Sequence, residues 1–562
     1  MTAIESARQT LLIVAPELLI LLSATVMMTA GAFVKYPRRY YSIASAITLV
    51  VAMFVLILLP RLDGDPYGSV ALNDALTGYG GLMFLLTGLI VLAMAHDQVD
   101  DARAPEFFGS LLMINAGAML VTASNELVFL FVGLELVSIP TYLLLYLSRR
   151  TSETQEAATK YFFLSIFSSG LLLFGLAYLY GMLGISNLKA LGYLNQAHDP
   201  MTMPGTPHPI VGLMAVVFVM AGLGFRVAAV PFHFYAPDVY QGSPTIMAAV
   251  LAWIPKAVGF IAILRTLTAV IPTDMVPPTA HLTQQAIYLS SIIAILTMVL
   301  GNTVALGQTN LKRLFAYSSI AHAGYLMIGV TVAFRNSDIA IGDPATIPSE
   351  LGSEAILFYL VSYALMTLGA FAVIIALSSP GRPVETIDDL AGLVKSHPVL
   401  AFAMAIFLFS LAGIPPLAGF WGKLNIFVAA YAASSGEDAW IYQSLAVIGV
   451  INAAIGAAYY LKIVAAIYSR DPVGKPLTPR ITWPIATAIG ACSTLTLLFL
   501  CWAQPLYTAS RSCAVALAVH PEPKALVPMI DPSVSAEAEA EARAEAVRRG
   551  LQWTPRKSTP RR

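Results

Sequence analysis

The side chains with the most chemistry to offer stand inside long apolar runs. Glu135 lies in LVFLFVGLELVSIPTYLLLYL, with no charge for eight residues before it or thirteen after it. An isolated ionised carboxylate is strongly disfavoured there, so the group must be protonated, paired or wet. Arg226, in GLGFRVAAVPFHF, is its natural partner. Arginine keeps its charge in proteins, so it can hold a carboxylate ionised but does not release its own proton. Lys256, beside Pro255, and Lys423 differ, because a buried lysine can load and unload a proton. His322, in LKRLFAYSSIAHAGYLMIG among Ser318, Ser319 and Tyr325, has the surroundings of a hydrated relay.

Two residues are secondary candidates. His233 follows Pro231, and Lys160 either joins the others or snorkels to the membrane edge. In chain order the groups are Glu135, Lys160, Arg226, Lys256, His322 and Lys423. They would form a row across the width of the protein, where a change of charge at one site biases protonation at the next. Each also has a plain structural reading: a buried ion pair, or a hydrogen-bonded core histidine. Tyr317, Tyr359, Tyr363 and Tyr459 could line water or simply pack.

The elements that must carry these groups are membrane spans. The chain has 562 residues, 57% of them hydrophobic and 11% charged, with mean hydropathy +0.74. A soluble protein would carry about 25% charged residues. Fourteen spans are expected, at about 10–31, 40–60, 76–96, 107–123, 125–147, 157–182, 209–233, 245–270, 284–304, 311–333, 352–378, 399–432, 443–468 and 481–503. The odd-numbered connections hold thirteen Lys and Arg against three in the even-numbered ones, which predicts cytoplasmic odd connections and both termini outside. Spans 7 and 12 break at Pro231 and at Pro415–Pro416. Interrupted helices in corresponding halves point to an inverted repeat with polar sites between the halves.

Several functions are excluded. The net charge is +0 and no basic stripe is present, so no nucleic-acid partner is expected. GLGFRV lacks the third glycine and the strand context of a dinucleotide site. Cys492, Cys501 and Cys513 lack CxxC spacing, and His198 and His208 in the loop 183–208 read as solvated, so no metal is expected. No cleavable signal is expected either. Residues 521–534 are proline-rich and 534–553 have helix-forming composition with mixed charge, which suits a surface element rather than a site.

GLELVSIPTYLLLYL, EAATKYFFLS, GLGFRVAAVPFHFYAPDVYQGSPT, LKRLFAYSSIAHAGYLMIG and LAGIPPLAGFWGKLNIF together resemble the antiporter-like membrane subunits of bacterial NADH:quinone oxidoreductase, respiratory complex I. The VPFHxxxPDVYQGxP stretch resembles the subunit N group rather than L or M. The likeness covers roughly residues 10–500 and implies an all-α polytopic membrane protein in the bacterial inner membrane. It implies helices 1–3 in 1–106, two inverted five-helix repeats in 107–270 and 271–470, helix 14 in 471–505 and a polar tail in 506–562. The implied partners are subunits A, H, J, K, L and M and, through them, the peripheral arm. FMN, iron–sulfur clusters and quinone would sit in those partners, with neither NADH nor quinone bound by this chain.

The resemblance also implies proton translocation along Glu135, Arg226, Lys256 and Lys423, driven by electron transfer elsewhere, and His322, by its own surroundings, is the expected relay toward Lys423. Arg226 stands where the family usually has lysine, so its expected role is a movable cation that tunes Glu135. The alternatives are a subunit of an Mrp-type cation/proton antiporter and a non-pumping scaffold.

Overall fold

A computed structural model describes residues 3–58, 67, 69–148, 151–197, 209–271, 280–335, 348–379, 382–436, 438–472, 477–499 and 501–518. His198, His208 and the segment 521–553 lie outside the described residues. The helices, in order, are α1 (Ala3–Ile13), α2 (Ala15–Phe33), α3 (Arg38–Leu58), α4 (Ala75–Ala95), α5 (Ala104–Ala123), α6 (Leu127–Ser148) and α7 (Ser152–Leu183). There follow α8 (Leu188–Ala197), α9 (Pro209–Val227), α10 (Ala236–Gly242), α11 (Thr245–Val270), α12 (Ala280–Leu306), α13 (Leu311–Ala333) and α14 (Pro348–Leu377). The last are α15 (Leu393–Ser396), α16 (Pro398–Ala412), α17 (Ala418–Ala432), α18 (Ala439–Ser469), α19 (Trp483–Leu498) and α20 (Gln504–Ala518).

Twelve of these helices are long and apolar enough to cross a membrane. The interrupted α16–α17 and the shorter α19 supply the other two of the fourteen expected spans. Apolar composition all round a helix means burial in protein or lipid. Here the two are separated: α11, α13 and α14 are enclosed almost completely, whereas α3, α7, α12 and α18 keep one face outward. The enclosed helices carry Lys256, His322, Tyr359 and Tyr363, so the row runs through the centre of the bundle. Polar caps fix where key helices begin. Asp74 accepts from the Thr77 N–H at 2.9 Å to start α4, and Asn310 accepts from Arg313 N–H at 3.1 Å to start α13.

Both expected interruptions are present. After α9 the chain turns through Ala228 at φ 57° before α10 begins, and Val230 N–H is satisfied by Thr297 Oγ1 of α12 at 3.0 Å. After α16 the chain turns at Gly413, φ 85°, a left-handed conformation that glycine adopts without a Cβ penalty. The chain then folds back so tightly that a Cβ on Gly419 would lie 1.9 Å from Ser410 O. Gly419→Ala is therefore expected to destabilise the second break by about 1–3 kcal/mol, the cost of overpacking. A lower thermal midpoint of the purified complex is the measurement.

Helix α20 is a departure from the sequence reading, which begins a polar tail at 506. Residues Gln504–Ala518 form a helix that packs on α14 and α4 and buries Ser510, Cys513, Ala514 and Leu517. Its small and polar residues hide the buried face from a hydropathy scan.

Candidate functional site: a charged and tyrosine-rich row through the bundle

Glu135 and Arg226 meet. Arg226 Nη2 lies 2.8 Å from Glu135 Oε1, and Ser169 Oγ of α7 donates to the same oxygen at 2.6 Å. The other guanidinium arm donates to Leu134 O at 3.0 Å and to Ser138 Oγ. Arg226 occupies the last turn of α9, where the helix dipole favours a cation. Its side chain is 6% exposed, against 24% for Glu135.

Lys256 and Lys423 are held differently. Both are buried, and neither is among the ion pairs of the described residues. Lys256 Nζ donates to Ser319 O of α13. Lys423 Nζ donates to Leu411 O at 2.8 Å and Ala412 O at 3.1 Å, and sits 5.2 Å from the Tyr325 ring centroid. Leu411 and Ala412 end α16, where carbonyls lack helical partners and carry the negative end of the dipole. The broken helix thus makes the cradle for Lys423.

His322 is held by two tyrosine hydroxyls. Its Nδ1 is 2.5 Å from Tyr359 Oη and its Nε2 is 3.0 Å from Tyr460 Oη. Tyr460 is also hydrogen-bonded to Ser318 Oγ, and Tyr363 Oη donates to Ser319 Oγ at 2.8 Å. On the Lys423 side, Tyr459 Oη donates to Asn302 Oδ1 at 3.1 Å, and Asn302 Nδ2 donates to Tyr325 Oη at 3.0 Å. These hydrogen-bonded pieces meet through ring contacts: His322 packs on Tyr363 at 5.0 Å and on Tyr325 at 5.8 Å, and Tyr459 lies 4.4 Å from Tyr460, so Lys256, His322 and Lys423 occupy one buried cluster. The Glu135–Arg226 pair joins it by packing: the Cβ of Arg226 borders Gly259, one turn beyond Lys256 on α11.

The two secondary candidates lie apart. Lys160 is 41% exposed and pairs with Glu156 at 2.7 Å and Asp238 at 2.9 Å, while Arg313 holds the other Asp238 oxygen at 2.7 Å. Burial opposes the Asp238 charge, yet hydrogen bonds from Lys160 and Arg313 outweigh it and keep the carboxyl below its usual range. This is a rim ion cluster beside Lys312, which donates to Gln241 O and Ser243 O. His233 is half-buried in the first break, and its Nδ1 has no hydrogen-bond partner among the described residues. Among the described residues no group of three or more His, Cys, Asp or Glu could hold a metal ion.

Three participants escaped sequence reasoning. Tyr460 and Asn302 give no signal beyond ordinary core composition. Arg265 did give one: it lies in the apolar run 245–270 by the same criterion that singles out Lys256. It forms a buried two-armed bridge to Asp74, at 2.6 and 2.8 Å.

A polytopic bundle with two interrupted helices and a row of buried protonatable groups defines an antiporter-like membrane protein. Residues 124–449 match the family described as NADH:quinone oxidoreductase/Mrp antiporter, transmembrane. Subunit N of NADH-quinone oxidoreductase from Paramagnetospirillum magneticum is 35% identical over 518 residues, covering 90% of this chain and 97% of that one. A chain of respiratory complex I from Thermus thermophilus, solved with bound aureothin, is 31% identical at TM-score 0.67, covering 86% and 97%. A chain of the Mrp complex from Dietzia shares the fold at TM-score 0.74 with 20% identity, covering 92% and 98%. The chain belongs to the subunit N family of NADH-quinone oxidoreductase, a family of multi-pass, antiporter-like membrane subunits.

Proposed function

We propose that the chain translocates protons in the membrane arm of NADH:quinone oxidoreductase, coupled to NADH-to-quinone electron transfer in other subunits. The observation that carries this is the buried cluster in which His322, hydrogen-bonded to Tyr359 and Tyr460, packs on the rings of Tyr363 and Tyr325, with Lys256 bonded beside the first and Lys423 standing over the second at a helix break. Arg226 acts as a movable cation of permanent charge whose grip on Glu135 sets the field at Lys256. When the pair separates, that field changes and Lys256 gains or loses its proton. The proton passes through His322, whose two nitrogens are engaged by tyrosine hydroxyls, and reaches Lys423 in its carbonyl cradle.

The arrangement supports two inverted units, α5–α11 and α12–α18, each interrupted in its fourth span. The excess of cations in the odd connections supports a cytoplasmic face there and both termini outside. On this reading subunits A, H, J, K, L and M surround the chain, while FMN, iron–sulfur clusters and quinone are held by partners. The Mrp-type reading draws on the shared fold. Co-purification with flavin and iron–sulfur subunits decides between the two.

Lys256→Met and Lys423→Met in the assembled complex test the proposal. With dye-monitored proton uptake into vesicles, both are expected to lower protons moved per NADH oxidised. An unchanged ratio in both variants would leave the chain a scaffold.

A further inference from the structure

A cavity of about 1030 Å³ lies away from the row, at the cation-rich ends of the helices. Four cations line it, Arg38, Arg103, Lys312 and Arg480, together with three carboxylates, Asp97, Asp100 and Glu385. Below them the wall is apolar, with Met94, Phe107, Leu144, Ile375 and Ile485. The lining draws on α3 through Arg38, on α4 through Ala93 and Met94 and on α19 through Ile485, and both α3 and α19 pack on α4. Ile481 of the lining is exposed, as are Tyr36 and Tyr40, close in sequence to Arg38, and Trp483, two residues before Ile485, the aromatic and apolar composition of a membrane–water interface.

The charges are arranged for a ligand that carries both signs. Arg38 spends one arm on Val99 O at 3.1 Å and makes a long contact of 3.5 Å with Asp97 Oδ1. Asp97 Oδ2 is buried with no hydrogen-bond partner among the described residues. A guanidinium has five N–H donors, so donors remain for a phosphate. Cationic pockets between transmembrane helices recognise lipid headgroups. A purely anionic headgroup would meet the three carboxylates unfavourably.

We infer that this cavity binds one phospholipid with a primary-ammonium zwitterionic headgroup, phosphatidylethanolamine in chemistry. Its phosphodiester faces Arg38 and Arg480, its ammonium faces Asp97 and Asp100, and its acyl chains follow the apolar wall out between α3 and α19. The ligand is a lipid rather than a soluble phosphate because the charged lining continues into an apolar wall, Met94, Phe107, Leu144, Ile375 and Ile485, which a free phosphate would leave uncovered.

The experiment uses the intact complex, exchanged into nanodiscs containing equal parts of phosphatidylethanolamine, phosphatidylglycerol and phosphatidylcholine. Retained lipid is then counted by native mass spectrometry. Arg480 and Asp100 are both exposed, so Arg480→Gln and Asp100→Asn leave the packing intact. Wild type is expected to retain phosphatidylethanolamine over phosphatidylcholine, whose quaternary ammonium has no N–H to donate. Arg480→Gln should weaken retention about fivefold, the weight of one cation at a lipid headgroup. Asp100→Asn should move the preference toward phosphatidylglycerol. Equal retention of the three lipids by wild type, unchanged retention in both variants, or displacement of the lipid by inorganic phosphate would each overturn the assignment.

Discussion

Glu135→Ala is expected to abolish proton translocation and to lower the stability of the assembled complex. The reason is the charge left behind. Arg226 is 6% exposed and cannot deprotonate, so removing its carboxylate leaves a buried, uncompensated cation. Breaking a buried pair from one side costs about 3–5 kcal/mol, and the partial exposure of Glu135 puts this case toward the lower end. Leu134 O, Ser138 Oγ and Ser169 Oγ still accept from the guanidinium, so hydrogen bonding persists while the charge goes unanswered. Arg226→Lys separates charge from identity. Lysine retains the cation, loses the fork that reaches Leu134 and Ser138, and regains the ability to release a proton. If Arg226 serves only as a movable cation of permanent charge, this variant pumps no better than wild type. A large gain in protons per NADH would mean that the step requires deprotonation at this position.

That pair was legible in the sequence because lone opposite charges in apolar runs have few ways to be satisfied. The breaks were legible through Pro231 and Pro415–Pro416, since proline removes a donor that a continuous helix needs. The partners of the lysines were not. Lys423 is held by the carbonyls of Leu411 and Ala412, and every residue has a carbonyl, so only the turn at Gly413 makes these available. Tyr460 was invisible for a related reason: tyrosine packs, anchors at interfaces and relays with the same side chain. Lys160 read equally well as relay or rim residue, and its exposure and Asp238 partner put it on the rim.

The contrast between the cations on the row bears on which of them moves a proton. Arg226 faces a full negative charge, whereas Lys256 and Lys423 face carbonyl dipoles. A carbonyl accepts a hydrogen bond from either form of an amine, so it steers the lysine without fixing its charge. The carboxylate beside Arg226 does the opposite, rewarding only the cation. The side chain that never titrates is paired with a full charge, and those able to titrate are left poised.

Asp74 offers the second large effect, in a cluster off the row. It caps α4 and also binds Arg265, whose side chain is 3% exposed and whose Nε donates to Thr122 O at 3.1 Å. Nearby Lys189 donates to Ala516 O at 2.8 Å, which fastens α8 to α20. Burial and the neighbouring Arg265 push the Lys189 ammonium down to about 8, with Asp74 opposing. Burial works to raise the Asp74 carboxyl, but the charge and hydrogen bonds of Arg265 prevail and hold it below the ordinary 3.8. A carboxyl depressed on folding stabilises above its unfolded value, so this contribution is intact at neutral pH and disappears as pH falls through the depressed value.

Asp74→Ala removes cap and charge together and strands Arg265, an expected loss of about 3–5 kcal/mol. Asp74→Asn keeps a side chain that caps as well as aspartate, so it should recover only the cap, about 1 kcal/mol. Asp74→Leu with Arg265→Met removes both charges and should be far milder than Asp74→Ala, because no buried ion is left alone. Thermal midpoints of the purified complexes give the order. In the Asp74→Asn complex that does assemble, protons per NADH should match wild type, since the Asp74–Arg265 bridge holds helices rather than carrying protons. A lowered ratio would move that bridge onto the proton path and extend the path along α11 from Lys256 to Arg265.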